Sequence, residues 1–137
     1  MRQSLTASTL PAPKFRYSPC IRSGPFWFFA GMVAIDPATG EALRDDPGAE
    51  TAQILANLTG ALPELGLDLD HCVRATVLTT RFADFPAINA AWEAVFAAPV
   101  TPPARTAAAV HEENSPVLDH HPPLETLPAD AAARRRK

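Results

Sequence analysis

A chain of 137 residues with 47% hydrophobic and 20% charged side chains fits one domain with a core of ordinary size. A formal net charge of −3 gives no basis for a nucleic-acid or membrane partner, and the basic end made by Arg134, Arg135, Arg136 and Lys137 reads as a solvated terminus. The most apolar run, residues 25–35, is short of the roughly 20 residues a membrane-spanning helix needs, and nothing before it resembles a signal peptide, so the expected location is cytoplasmic. Cys20 and Cys72 lack CxxC spacing and read as unpaired thiols of a reducing compartment.

Residues 1–15 are small and polar with Pro11 and Pro13, which predicts an extended lead-in with an edge strand near residues 4–8. Residues 17–22, a Ser23-Gly24-Pro25 turn and Phe26-Trp27-Phe28-Phe29 predict a hairpin whose second strand is buried on both faces. Such a strand needs helices on one side and another subunit on the other. Gly31 follows, where a missing side chain allows close backbone approach, and residues 36–40 form a turn with proline early and glycine late. Asp46-Pro47 looks like the cap and first residue of a helix over 47–65, with Ile54, Leu55, Leu58, Leu62 and Leu65 as its apolar stripe. Pro63 deprives Thr59 of a hydrogen-bond donor and predicts a kink near Leu62, and Gly66 ends the helix. Residues 72–80, CVRATVLTT, predict the central strand, with Val73, Ala75 and Val77 on one face and Arg74, Thr76 and Leu78 on the other.

The chain is organised around residues 84–107. Phe85, Ile88, Trp92, Val95 and Phe96 recur at helical spacing, Asp84 is placed to cap the first turn, and Pro86 sits where its missing N–H is not needed. Asn89 lies within that apolar stripe, where an unpaired amide would cost about 1–3 kcal/mol. It either ties down a neighbouring loop or braces a ligand pocket. Pro99, Pro102 and Pro103 stop the helix and deliver Arg105 in an extended segment, the only charge over residues 104–110, sharing a face with Ala107 and Ala109. A guanidinium there makes a structural ion pair or reads a carboxylate or phosphate with two parallel bonds. The order hairpin, helix, strand, helix, strand implies an α+β sheet with two helices on one face.

After Val110 the texture changes. Residues 111–137 carry four prolines and no alternating apolar run, so they read as a loose tail beyond a single domain over 1–110. His111, His120 and His121 with Asp119 fit a fixed metal geometry poorly, and neither a metal nor a cofactor is expected.

The runs FFAGMVAIDPATGE, the Asn57-Leu58 helix centre, CVRATVLTT, DFPAINAAWEAVF and PPART, in this order over residues 16–110, closely resemble the reactive-intermediate (enamine/imine) deaminase family, RidA/YjgF. The resemblance implies a chorismate-mutase-like α+β fold, a homotrimer with ligand pockets between subunits, and hydrolysis of small 2-imino acids to 2-oxo acids and ammonia. By the same resemblance Arg105 grips the substrate carboxylate, with Tyr17, Ala30, Gly31 and Asn89 as further substrate-binding positions. Ala30, Met32 and Ala107 stand where the family carries more polar residues, and the final family strand with its glutamate is not visible. Glu125 is the nearest carboxylate and the second catalytic candidate. Two other readings fit these departures: a non-catalytic small-carboxylate-binding trimer, and a copy whose reading frame changed after Val110.

Overall fold

The computed structural model describes residues 1–44 and 46–111. Five strands and two helices follow in the order β1 (Arg2–Leu5), β2 (Cys20–Ser23), β3 (Phe26–Phe29), α1 (Pro47–Glu64), β4 (Arg74–Thr79), α2 (Phe85–Val95) and β5 (Ala104–Ala109). The α+β class predicted from sequence is the class observed. Strands β1, β2 and β3 form an antiparallel sheet, with Ser23 opposite Phe26 across a turn in which Gly24 takes φ 58°. Strands β4 and β5 pair in parallel through the α2 crossover, with Ala75 opposite Arg105 and Val77 opposite Ala107.

The single sheet expected from sequence is therefore two, and β4 is not central: among the described residues it pairs with β5 alone. Alternating burial marks β4 as a half-covered strand but carries no information about which backbone completes its other edge. The lead-in is also more ordered than expected, since β1 begins at Arg2 and Ala7 and Leu10 after it enter the core.

At 18 residues, α1 is about 27 Å long, enough to underlie both sheets. Its Ala61 and Leu65 pack with Cys20, Trp27, Phe29 and Met32 on the antiparallel sheet. Its Leu55 packs with Trp92 and Phe96 of the α2 segment and with Ala75 and Val77 of the parallel sheet. Asp46 accepts a hydrogen bond from the Ala49 N–H at 3.0 Å, as its position before Pro47 predicts. Pro63 does not break the helix at Leu62, since α1 runs on to Glu64. It sits in the last turn, which closes through Leu67 N–H to the Leu62 carbonyl at 2.8 Å and ends at Gly66, whose φ of 74° suits glycine.

Helix α2 starts at Phe85 as predicted but not by the predicted device. Asp84 belongs to a 3-10 turn, Phe82–Asp84, and its side chain makes no capping bond. The turn is anchored instead by Arg81, whose Nη2 lies 2.9 Å from Glu50 Oε2 on α1. The two helices approach closely where a Cβ on Gly48 would stand 3.2 Å from the Ala87 carbonyl oxygen.

The sheet surfaces turned away from the helices carry exposed apolar side chains beside polar ones. Strand β3 is not buried on both faces within one chain: Trp27 and Phe29 pack inward, whereas Phe26 and Phe28 are 63% and 60% exposed. Leu78 on β4 is 62% exposed in the same way. Among the described residues no helix is long and apolar enough to cross a membrane.

Candidate functional site

Strand β5 alternates, so Arg105 and Ala107 turn toward α2 while Ala104 and Thr106 turn away. The Arg105 side chain crosses to the helix layer, where its Nη2 donates to Asn89 Oδ1 at 2.7 Å. The guanidinium carbon lies 5.3 Å from the centroid of the Phe85 ring and 5.0 Å from that of Trp92. Nη1 is buried without a hydrogen-bond partner among the described residues. Of the two roles weighed for Asn89, holding a loop or bracing a site, the geometry gives it Arg105 as partner. Arg105 has no carboxylate within ion-pair distance among the described residues, so its charge meets an amide oxygen and two π faces rather than a counter-ion.

That arrangement has a chemical consequence. A half-buried cation without a counter-ion is under-solvated, and a buried N–H donor without an acceptor forgoes about 1–3 kcal/mol. A small carboxylate brought to Nη1 would satisfy both deficits.

Apart from Asn89, no hydrogen bond, ion pair or ring contact among the described residues joins the other sequence-predicted positions to Arg105. Tyr17 precedes β2 and is 47% exposed. The Ala30 N–H donates to the Pro19 carbonyl at 3.0 Å, and that bond extends the β2–β3 hairpin by one rung. Gly31 is open: a Cβ built there would meet nothing within 4 Å, so the close backbone approach expected at this glycine is not made within the chain. Arg74 donates through Nη2 to the Thr106 hydroxyl at 3.0 Å on the exposed face of the parallel sheet. Glu125, His120, His121 and Asp119 lie outside the described residues.

Two sets of contacts were not legible beforehand. Asn57 in α1 is 2% exposed, donates to the Ile35 carbonyl at 2.6 Å and accepts from Gln53 Nε2 at 2.8 Å, which fixes the segment after β3 against the helix. Phe85 and Trp92 were assigned to the core stripe only. They stand four residues before and three after Asn89, on the same helical face, so any side chain that reaches Asn89 from β5 must meet them. The cysteines are not activated: burial pushes the Cys20 thiol up, and burial together with the nearby Asp68 charge does the same to Cys72. A surface hollow of about 470 Å³ lies at the far end of β5, lined by Thr80, Arg81, Ala109, Val110 and His111, and Arg105 is not part of it.

The fold is that of the RidA-like α+β proteins. The YjgF gene product of E. coli matches it with a TM-score of 0.73 and 28% identity, over 79% of this chain and 85% of that one. The chain belongs to the RidA/YjgF family: a family profile described as Endoribonuclease L-PSP matches residues 7–118. A RutC family protein of Pyrococcus horikoshii is 32% identical over 118 residues, spanning 86% of this chain and 92% of the relative. A protein of Salmonella typhimurium named 2-iminobutanoate/2-iminopropanoate deaminase is 30% identical over 96 residues, 70% of this chain and 74% of that relative.

Proposed function

We propose that this protein is a cytoplasmic imine deaminase that hydrolyses small 2-imino acids such as 2-iminopropanoate and 2-iminobutanoate. Water adds to the C=N carbon, the nitrogen is protonated, and the C–N bond breaks to leave a 2-oxo acid and ammonia. The observation that carries this reading is the Arg105 guanidinium, which lacks a counter-ion among the described residues and has Nη1 buried and unbonded. Arg105 anchors the carboxylate and so fixes the imine carbon for attack, and effective concentration of this kind supplies much of the rate in such reactions. Asn89 holds the anchor. Glu125 is the carboxylate proposed to orient the water.

The site is completed by a second copy of the chain. Phe26, Phe28 and Leu78 are exposed apolar side chains on the outer sheet surfaces, and a homotrimer that buries them would bring Tyr17, Ala30 and Gly31 of one copy toward the Arg105 of the next. No cofactor is required for this chemistry.

The test is ammonia release from freshly generated 2-aminoacrylate, which tautomerises to 2-iminopropanoate. The wild-type protein accelerates release over the uncatalysed rate and Arg105→Ala does not. An equal rate in Arg105→Ala would remove the anchor from the mechanism. A second reading, a non-catalytic carboxylate-binding trimer, is favoured by one observation: the groups in contact with Arg105 are an amide and two aromatic rings, none of which transfers a proton near neutrality. Tight binding of 2-oxobutanoate without accelerated ammonia release would select it.

A further inference from the structure

We propose that Phe85 and Trp92 are positioning residues that hold the Arg105 guanidinium by cation–π contact and so keep its charge available to an anionic ligand. The inference rests on the reading of Arg105 as the carboxylate anchor.

The guanidinium carbon is within cation–π range of both rings, at 5.3 and 5.0 Å. Each ring is itself backed by another. Phe82 stacks on Phe85 with centroids 5.0 Å apart at 16°, and Phe96 packs on Trp92 at 4.4 Å and 33°. Trp92 and Phe96 are buried, so that side of the clamp is set by the core, whereas Phe85 opens the helix behind the Phe82–Asp84 turn. Four rings from one short stretch of chain thus fix a single cation.

The choice of rings over a carboxylate has a functional consequence. An internal carboxylate would steady the arginine and also cancel its charge, so an incoming anion would have to compete with it. A π face stabilises the cation through its quadrupole, accepts no full hydrogen bond and leaves the net positive charge in place. Asn89 takes one N–H with a neutral oxygen, and Nη1, buried in the single chain, has no internal acceptor among the described residues, so its hydrogen bond is still to be made when a ligand reaches the guanidinium. The clamp therefore lowers the cost of ordering a long, flexible side chain before the ligand arrives.

The decisive experiment compares Phe85→Leu, which keeps apolar bulk and removes the π face, with Phe85→Tyr, which keeps the ring. The first readout is the proton NMR position of the Arg105 side chain in the wild type, expected upfield of its usual place because of the ring currents and relaxing toward it in Phe85→Leu. The second is the dissociation constant for 2-oxobutanoate, expected to rise about five- to tenfold in Phe85→Leu and to return to the wild-type value in Phe85→Tyr. Where turnover is measurable, KM follows the same pattern and kcat changes little, a split that general loosening of the fold would not give. An Arg105 signal at its usual position in the wild type, or an unchanged affinity in Phe85→Leu, overturns the clamp whatever the activity. Absence of accelerated ammonia release with intact 2-oxobutanoate binding overturns hydrolysis and leaves the clamp standing. Trp92→Phe, which retains a π face in the core, is expected to bind normally, and a loss of affinity as large as that of Phe85→Leu in a folded Trp92→Phe would count against the proposal.

Discussion

Replacing Asn89 by aspartate changes almost no volume and converts the neutral hydrogen-bond acceptor that Arg105 has among the described residues into a counter-ion, so it separates a structural arginine from an anchoring one. The Asn89 oxygen already sits 2.7 Å from Arg105 Nη2, and a carboxylate there would form an ion pair with little rearrangement. If Arg105 is structural, that pair can only help. If Arg105 binds a carboxylate, the new charge opposes it. A ligand carboxylate held on the free edge of the guanidinium would lie about 6 Å from the introduced one, and at an effective dielectric near 20 the repulsion is about 3 kcal/mol, or roughly a hundredfold in affinity. The stability term is smaller and of opposite sign, a gain of about 1 kcal/mol or less after desolvation. Asn89→Asp is therefore expected to melt at or slightly above the wild-type temperature while binding 2-oxobutanoate about a hundredfold more weakly by isothermal titration calorimetry at pH 7.5. Wild-type affinity in a folded, well-behaved Asn89→Asp would refute the assignment of Arg105 as an anion anchor. A large loss of both stability and binding would instead show that Asn89 donates a hydrogen bond the fold requires.

Three further outcomes follow from the packing. Asn57→Ala leaves the Ile35 carbonyl without its donor in a buried setting and is expected to cost about 1–3 kcal/mol, read as a fall in Tm by thermal circular dichroism; an unchanged Tm would show the amide to be dispensable. Gly48→Ala gains about 1 kcal/mol of helix propensity but places a Cβ 2.9 Å from Asp46 Oδ1 and 3.2 Å from the Ala87 carbonyl oxygen, so denaturant titration is expected to show net destabilisation. A net gain would mean that α1 and α2 separate more readily than the close approach implies. If the proposed homotrimer packs through the open face of β4, Leu78→Lys lowers the mass measured by light scattering while leaving the far-ultraviolet spectrum intact, and an unchanged mass would count against that contact.

The sequence by itself determined the elements. Helical spacing of Phe85, Ile88, Trp92 and Phe96 gave α2 its buried face, Asp46-Pro47 and Gly66 set the limits of α1, and the extended segment that follows Pro102 and Pro103 became strand β5. These are local matters, decided by caps, by missing N–H groups and by periodicity, and a single chain segment carries all of that information. Beyond the β2–β3 hairpin, pairing was not legible. That the strands divide into two sheets, that β4 meets β5 alone among the described residues, and that Phe26 and Phe28 stay uncovered depend on contacts between segments distant in sequence. The same holds for the site. Arg105 was conspicuous as the only charge in its strand, but its partners Asn89, Phe85 and Trp92 became partners only when the crossover laid α2 against β5. Residue identity specified a cation beside small neighbours; tertiary structure decided that it meets rings and an amide instead of a carboxylate, and a charge left without a counter-ion is what makes the place a candidate for binding an acid.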